Sequence, residues 1–153
     1  MTKAFNVFAI FVILLAVAAC GGGDNKSSGG GGSGGSGGGG PDMSTPAGTL
    51  KEMSAAFEAG DIERILKCYD KDYLAKKEGD RTVEEKFRAE FKEIKDGGGY
   101  LKWTFNEADI KIDGDKAGCK GKMKIKPSKD DPEQEEDESV TLVKKDGKWW
   151  CDK

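Results

Sequence analysis

The sequence predicts an α+β domain, with N-terminal helices packed on a bent antiparallel four-stranded meander. Three observations lead there. Apolar residues recur every three or four positions from Leu50 to Ile94, the signature of a helix with one buried face. From Leu101 onward the period drops to two, as in strands with one buried face. Asp113-Gly114 and Asp146-Gly147 interrupt the alternating stretches with residues that accept the positive φ of two-residue hairpin turns.

Ahead of that domain the chain has a different character. Met1 to Ala19 carries one charge, Lys3, then an apolar run, and it closes on Val17-Ala18-Ala19-Cys20. Small residues before a cysteine in this position resemble a bacterial lipobox, so residues 1–19 read as a lipoprotein signal peptide, with a plain signal peptide or an uncleaved span as alternatives. The stretch falls short of the ~20 apolar residues that a transmembrane helix needs. The resemblance implies acylation of Cys20, and two or three acyl chains hold a protein stably on a membrane. Gly21 lacks the aspartate that marks inner-membrane retention in enteric-type lipoproteins, which points to an outer-membrane address in a Gram-negative envelope. Gly21 to Gly40 holds thirteen glycines and four serines with no apolar side chain to bury, so residues 20–44 read as a lipidated cysteine plus a flexible tether. Its r.m.s. reach is about 22 to 27 Å.

The remaining residues, 45–153, suffice for one modest core. Thr45-Pro46 forms a helix start, Leu50, Met53 and Phe57 its buried stripe, and Gly60 its end. Asp61 opens a second helix, with Ile62, Ile65, Leu66 and Tyr69 on one face and Cys68 at its shoulder. After a polar connection, Thr82 and Glu85 form a capping box for a third helix lined by Val83, Phe87, Phe91 and Ile94, which Gly97-Gly98-Gly99 stops. Leu101, Trp103 and Phe105 share one strand face, yet Ala108, Ile110 and Ile112 have the opposite parity, so a bulge near Asn106-Glu107 is expected. The next strand alternates Ala117, Cys119, Gly121, Met123 and Ile125 inward with Lys116, Lys120, Lys122, Lys124 and Lys126 outward. Pro127 to Asp137 reads as a charged loop, after which Val140, Leu142, Trp149 and Cys151 continue the inner face.

Three segments then carry a resemblance: "AAFEAGDIERILKCYDKDY", "KWTFNEADIKIDGDKAGCKGKMKI" and "VTLVKKDGKWW". Together they resemble the nuclear-transport-factor-like, cystatin-like cone, and more narrowly the small bacterial lipoproteins of that superfamily, whose role is undefined. The motifs mark a fold and not a reaction, and such a fold hosts isomerases, dehydratases and pure binding modules.

Composition narrows the chemistry. The formal net charge is −3, and loss of Lys3 with a signal peptide makes it one unit more negative, so no nucleic-acid partner is expected. The chain has no histidine, which removes Ser-His-Asp and Cys-His catalysis and the commonest zinc ligand. No cofactor or metal is expected. The acidic run Asp130 to Glu138 lacks the alternating ligands and glycine of an EF-hand loop and reads as a solvated loop that partly neutralises Lys126 and Lys129.

Three functional readings follow. The first is a membrane-tethered, non-enzymatic binding or interaction module, with an envelope protein or anionic polymer meeting the ridge of Lys116, Lys120, Lys122, Lys124 and Lys126; the bland alternative is a solvated sheet face. The second is a cone pocket for a small apolar ligand, walled by Phe57, Tyr69, Phe87, Phe91, Trp103, Phe105 and Trp149 around the small row Ala117-Cys119-Gly121, against a filled core as its alternative. The third is an isomerase- or dehydratase-type enzyme, for which Tyr69, Asp70, Tyr73 and Asp109 are the residues at hand, although Asp70 and Asp109 are expected to face water. Cys68, Cys119 and Cys151 allow one bridge, Cys68 with Cys151 or with Cys119, or three buried thiols.

Overall fold

The computed structural model describes residues 42–152. The expected signal peptide, Cys20 and the glycine-rich stretch lie outside the described residues. Helix α1 spans Pro46–Ala59; the Thr45 side chain accepts from the Gly48 N–H, and Gly60 closes the helix at φ 64°, a left-handed conformation that costs glycine nothing. Helix α2, Ile62–Leu66, is capped by Asp61. The predicted polar connection has structure of its own. Helix α3, Lys71–Leu74, is capped by Asp70, and β1, Lys77–Glu78, pairs with β2, Arg81–Thr82, across a turn with Gly79 at φ 75°. Helix α4, Val83–Asp96, starts with the complete capping box of Thr82 and Glu85.

Five strands follow: β3 (Gly98–Phe105), β4 (Lys111–Asp113), β5 (Lys116–Ser128), β6 (Gln134–Lys145) and β7 (Lys148–Cys151). Their order is β3-β5-β6-β7, with β4 also on β5. The predicted four strands become five because the expected bulge is a full break. Asn106 caps a 3-10 turn, Glu107–Asp109, between β3 and β4. Phe105 pairs with Gly121 and Lys111 with Gly118, so five residues face two. That surplus is odd, and an odd surplus reverses which side chains point inward. Ile110 therefore packs on the core. Ile112, expected inside with Ala108, is 61% exposed and Ala108 is exposed too. Ile112 lies opposite buried Ala117 but beyond what covers that residue.

Two further expectations are corrected. The loop predicted over Pro127 to Asp137 is mostly ladder: β5 runs to Ser128, β6 starts at Gln134, and Ile125↔Gln134 through Lys116↔Val143 pair without a break. The turn after β4 is Gly114-Asp115, between paired Asp113 and Lys116, one residue later than the Asp-Gly pair suggested. At Asp146-Gly147 the prediction holds, with φ values of 52° and 74° as a type I′ turn requires.

Helices and sheet share one core, in which Leu50, Met53, Ile65, Trp103 and Leu142 are all but inaccessible. Side chains of α1 bond the layers together: buried Thr49 donates to the Trp149 carbonyl at 2.8 Å and half-buried Ser54 to the Trp103 carbonyl at 2.5 Å. Core packing already includes residues before Thr45, since Met43 is buried and its carbonyl accepts from the Trp149 N–H at 2.8 Å.

Candidate functional site

The concave face of the sheet, under the helices, is where an enclosed site could form. The small residues of β5 do leave room there, and a neighbouring strand fills it. A Cβ on Gly121 would lie 2.8 Å from the Trp103 ring and 2.5 Å from the Thr104 carbonyl, so the indole of Trp103 rests directly on Gly121. Trp103 is 1% exposed and stacks on Phe105 with centroids 5.0 Å apart. Of the other proposed wall residues, Tyr69 and Trp149 are buried, and Phe87 is partly buried with its ring 5.3 Å from that of Tyr69. Phe57 and Phe91 are buried in the same core and also line a half-open groove of about 220 Å³ with Ile94, Leu101 and Tyr100, between α1, α4 and β3.

Carboxylates approach the interior that the sequence did not reveal. Glu90 follows Phe87 by three residues and precedes Ile94 by four, so it shares the inward stripe of α4. Burial, which disfavours its charged form, pushes its pKa up, with Lys86 opposing. Among the described residues, two buried side-chain polar atoms lack a hydrogen-bond partner: Oε1 of Glu90 and Nε1 of Trp103. Glu138 is another inward carboxylate, with Glu136 at the same parity of β6. It pairs with Gly121 across β5 and β6 and so shares the face on which Trp103 rests. Burial first, and the nearby Glu138 carboxylate among lesser causes, raise the pKa of Tyr69 and Tyr73, whose rings stack at 5.9 Å. The spacing Val83, Phe87, Glu90, Ile94 was the available signal for Glu90. None existed for Glu138, because its segment reads as a loop.

Of the acid-base candidates, Asp109 is exposed, as expected. Asp70 is not: it is 6% exposed, pairs with Lys145 at 2.8 Å and accepts from the Asp72 and Tyr73 N–H groups. Burial pulls its pKa up, but Lys145 and the two backbone donors outweigh that and leave it below the ordinary range. Asp70 is thereby committed to structure.

The lysine row lies on the outer face as expected, in a company that the loop prediction concealed. Lys122 pairs with Glu135 at 2.7 Å and with Asp137, and Lys124 with Glu133 and Glu135. The acidic segment neutralises these two, and not Lys126 and Lys129, because it returns as a strand in register with them. Lys120 lies opposite Ser139 and Lys116 opposite Val143, both exposed. Cys68, Cys119 and Cys151 are all buried.

No known sequence family matches the chain, and no curated protein matches it by sequence. Solved structures do. An NTF-2 like protein of unknown function from Shewanella oneidensis is 23% identical, with a TM-score of 0.50 over 67% of this chain and 88% of its own. RPA3114 from Rhodopseudomonas palustris, a SEC-C motif containing protein, is 15% identical with a TM-score of 0.53, over 72% and 77%. AclR from Streptomyces galilaeus, a proposed hydroxylase, is 15% identical with a TM-score of 0.51, over 72% and 79%. At such identities the likeness carries fold alone. Helices laid on a curled antiparallel sheet, together with these neighbours, establish that the described domain has the NTF2-like, cystatin-like cone fold.

Proposed function

We propose that this chain is a lipid-anchored protein of a bacterial cell envelope whose cone domain is a non-enzymatic binding or interaction module. The filled interior carries the reading: where a bent sheet and its helices could enclose a substrate, the Trp103 indole lies on Gly121 instead. The anchor rests on Val17-Ala18-Ala19-Cys20. Surface chemistry is then what remains for recognition, with Lys116 and Lys120 as the cationic end of the outer face and an anionic envelope polymer or an acidic protein surface as the fitting partner. The test is the mass of the N-terminal peptide from membrane-extracted protein. Acylated Cys20 is expected, with release of the chain from membranes in Cys20→Ser; an intact Met1 terminus overturns the anchor. Binding of the purified domain to an anionic cell-wall polymer is expected to weaken steeply from low to moderate salt and in Lys116→Glu/Lys120→Glu. A flat salt response overturns the partner chemistry.

A second reading is favoured by the unpartnered atoms of Glu90 and Trp103. They mark a cone that opens to admit a small ligand, an acceptor for the indole N–H and a donor for the carboxyl, and they are also the groups that an isomerase- or dehydratase-type reaction would recruit. The Trp103 indole N–H resonance reports on it: a shift on titration with a small-molecule library, lost in Glu90→Gln, supports the ligand reading, and an unmoved resonance removes it.

A further inference from the structure

Cys68 and Cys151 are distant in sequence and adjacent in space. Cys151 donates its N–H to the Cys68 carbonyl at 2.8 Å, Asp70 donates its N–H to the Cys151 carbonyl at 2.8 Å, and Tyr69 bridges Cys151 as a short parallel pair. The α2–α3 connection thus lies against β7 as one more strand would, with Tyr69 directly opposite Cys151 and Cys68 its diagonal neighbour; a strand spacing of about 4.8 Å and a rise of about 3.3 Å put the two cysteine Cα atoms about 6 Å apart, within the separation a disulfide spans. Cys151 Sγ lies 3.6 Å from the Met53 sulfur of α1, the Cys68 thiol donates to the Arg64 carbonyl of α2 at 3.5 Å, and the Cys151 thiol is close enough to feel that of Cys68.

Cys119 is excluded by the same topology. It pairs with Val140 of β6, while Cys151 pairs with Leu142 on the far side of β6. Cys119 is therefore two strand spacings, about 10 Å, from Cys151 and three, about 14 Å, from Cys68. The two bridges that the sequence left open reduce to one.

We propose that Cys68 and Cys151 form a disulfide that fastens the helical layer to the last strand, leaving Cys119 as a buried thiol. The bond forms by exchange with a protein or glutathione disulfide. One thiolate attacks it and displaces a thiolate, the second cysteine attacks the mixed disulfide, and the oxidant leaves as two thiols carrying the two protons and two electrons. Exchange belongs to folding, before closure: burial pushes the Cys68 thiol up to about 12 and holds the Cys151 thiol well above its ordinary value, so neither is a thiolate in the folded, reduced domain. The proposal rests on the exported reading only for the supply of oxidant.

The experiment uses the full chain carrying Cys20→Ser, unfolded and reduced, then refolded in glutathione buffer. Non-reducing peptide mapping after alkylation is expected to give one linked pair, Cys68 with Cys151, two hydrogens lighter than the thiols, and alkylated Cys119. Its thermal midpoint should exceed that of the reduced protein by on the order of 10 °C. Cys119→Ser should keep the link, so the result does not depend on a Cys68 or Cys151 variant folding. Three alkylated thiols, or any link that includes Cys119, overturn the proposal. If the link forms on refolding while wild-type chain taken from cells carries thiols at Cys68 and Cys151, the pairing stands and the exported reading falls.

Discussion

Asp70 and Glu90 are two acids near one core with opposite electrostatics. Asp70 has Lys145 and two backbone donors, which keep its folded pKa below the unfolded value. Its contribution to stability is therefore present above the unfolded pKa and is lost as pH falls through the folded one. Asp70→Asn should lower the urea midpoint at pH 7 and approach the wild type as pH falls through the folded pKa. Glu90 has the reverse sign. Burial raises its folded pKa, so the protonated form is favoured by folding and stability is lost as pH rises through that value. Glu90→Gln should raise the midpoint at pH 7 and leave it unchanged near pH 4, again read from urea unfolding; equal effects at both pH values would show that its carboxylate is not desolvated. Neither acid was legible as such. A single charge in the helix "VEEKFRAEFKEIKD" reads as solvated until the sheet is in place, and Asp70 reads as facing water until Lys145 arrives from β6.

Caps and turns were the most legible elements, because their chemistry is local. Thr82 and Glu85 satisfy each other's backbone donors as the sequence predicted. Thr82→Ala should cost about 1 kcal/mol in global unfolding, measured by chemical denaturation. Pairing over distance was harder to read. A run of carboxylates from Asp130 to Glu138 has poor strand propensity and reads as a loop, but opposite β5 it meets lysines on the same face, and cross-strand opposite charges support the pair. Lys122→Glu should therefore lower the unfolding midpoint at low salt, with much of the difference gone at high salt. A salt-independent loss would assign the effect to packing. The break between β3 and β4 was seen as a parity change, yet its size was hidden, since one extra residue and three reverse parity equally.

At the scale of the whole molecule, the α+β plan and the inward strand residues of β5 were written in hydrophobic period. The fate of the small row Ala117-Cys119-Gly121 was not, because an indole on the neighbouring strand decides it and periodicity says nothing of side-chain volume. Domain boundaries show the same limit. Ser44 and the residues before it look like tether, but Met43 fills part of the core and accepts the Trp149 N–H. A chain beginning at Asp42 should match the full-length protein in thermal stability, whereas one beginning at Thr45 should lose about 1 to 3 kcal/mol from the lost apolar burial and the unsatisfied donor.

That Met43 contact also has a mechanical side. A pull applied to residues 1–41 would meet the fold at Met43, where the bond to another element runs to β7, the last strand of the described residues. A circular permutant joining Asp152 to Asp42 through a short linker, opened at the Gly79-Asp80 turn, would move the point of traction from Met43 to the β1–β2 hairpin without cutting any long strand.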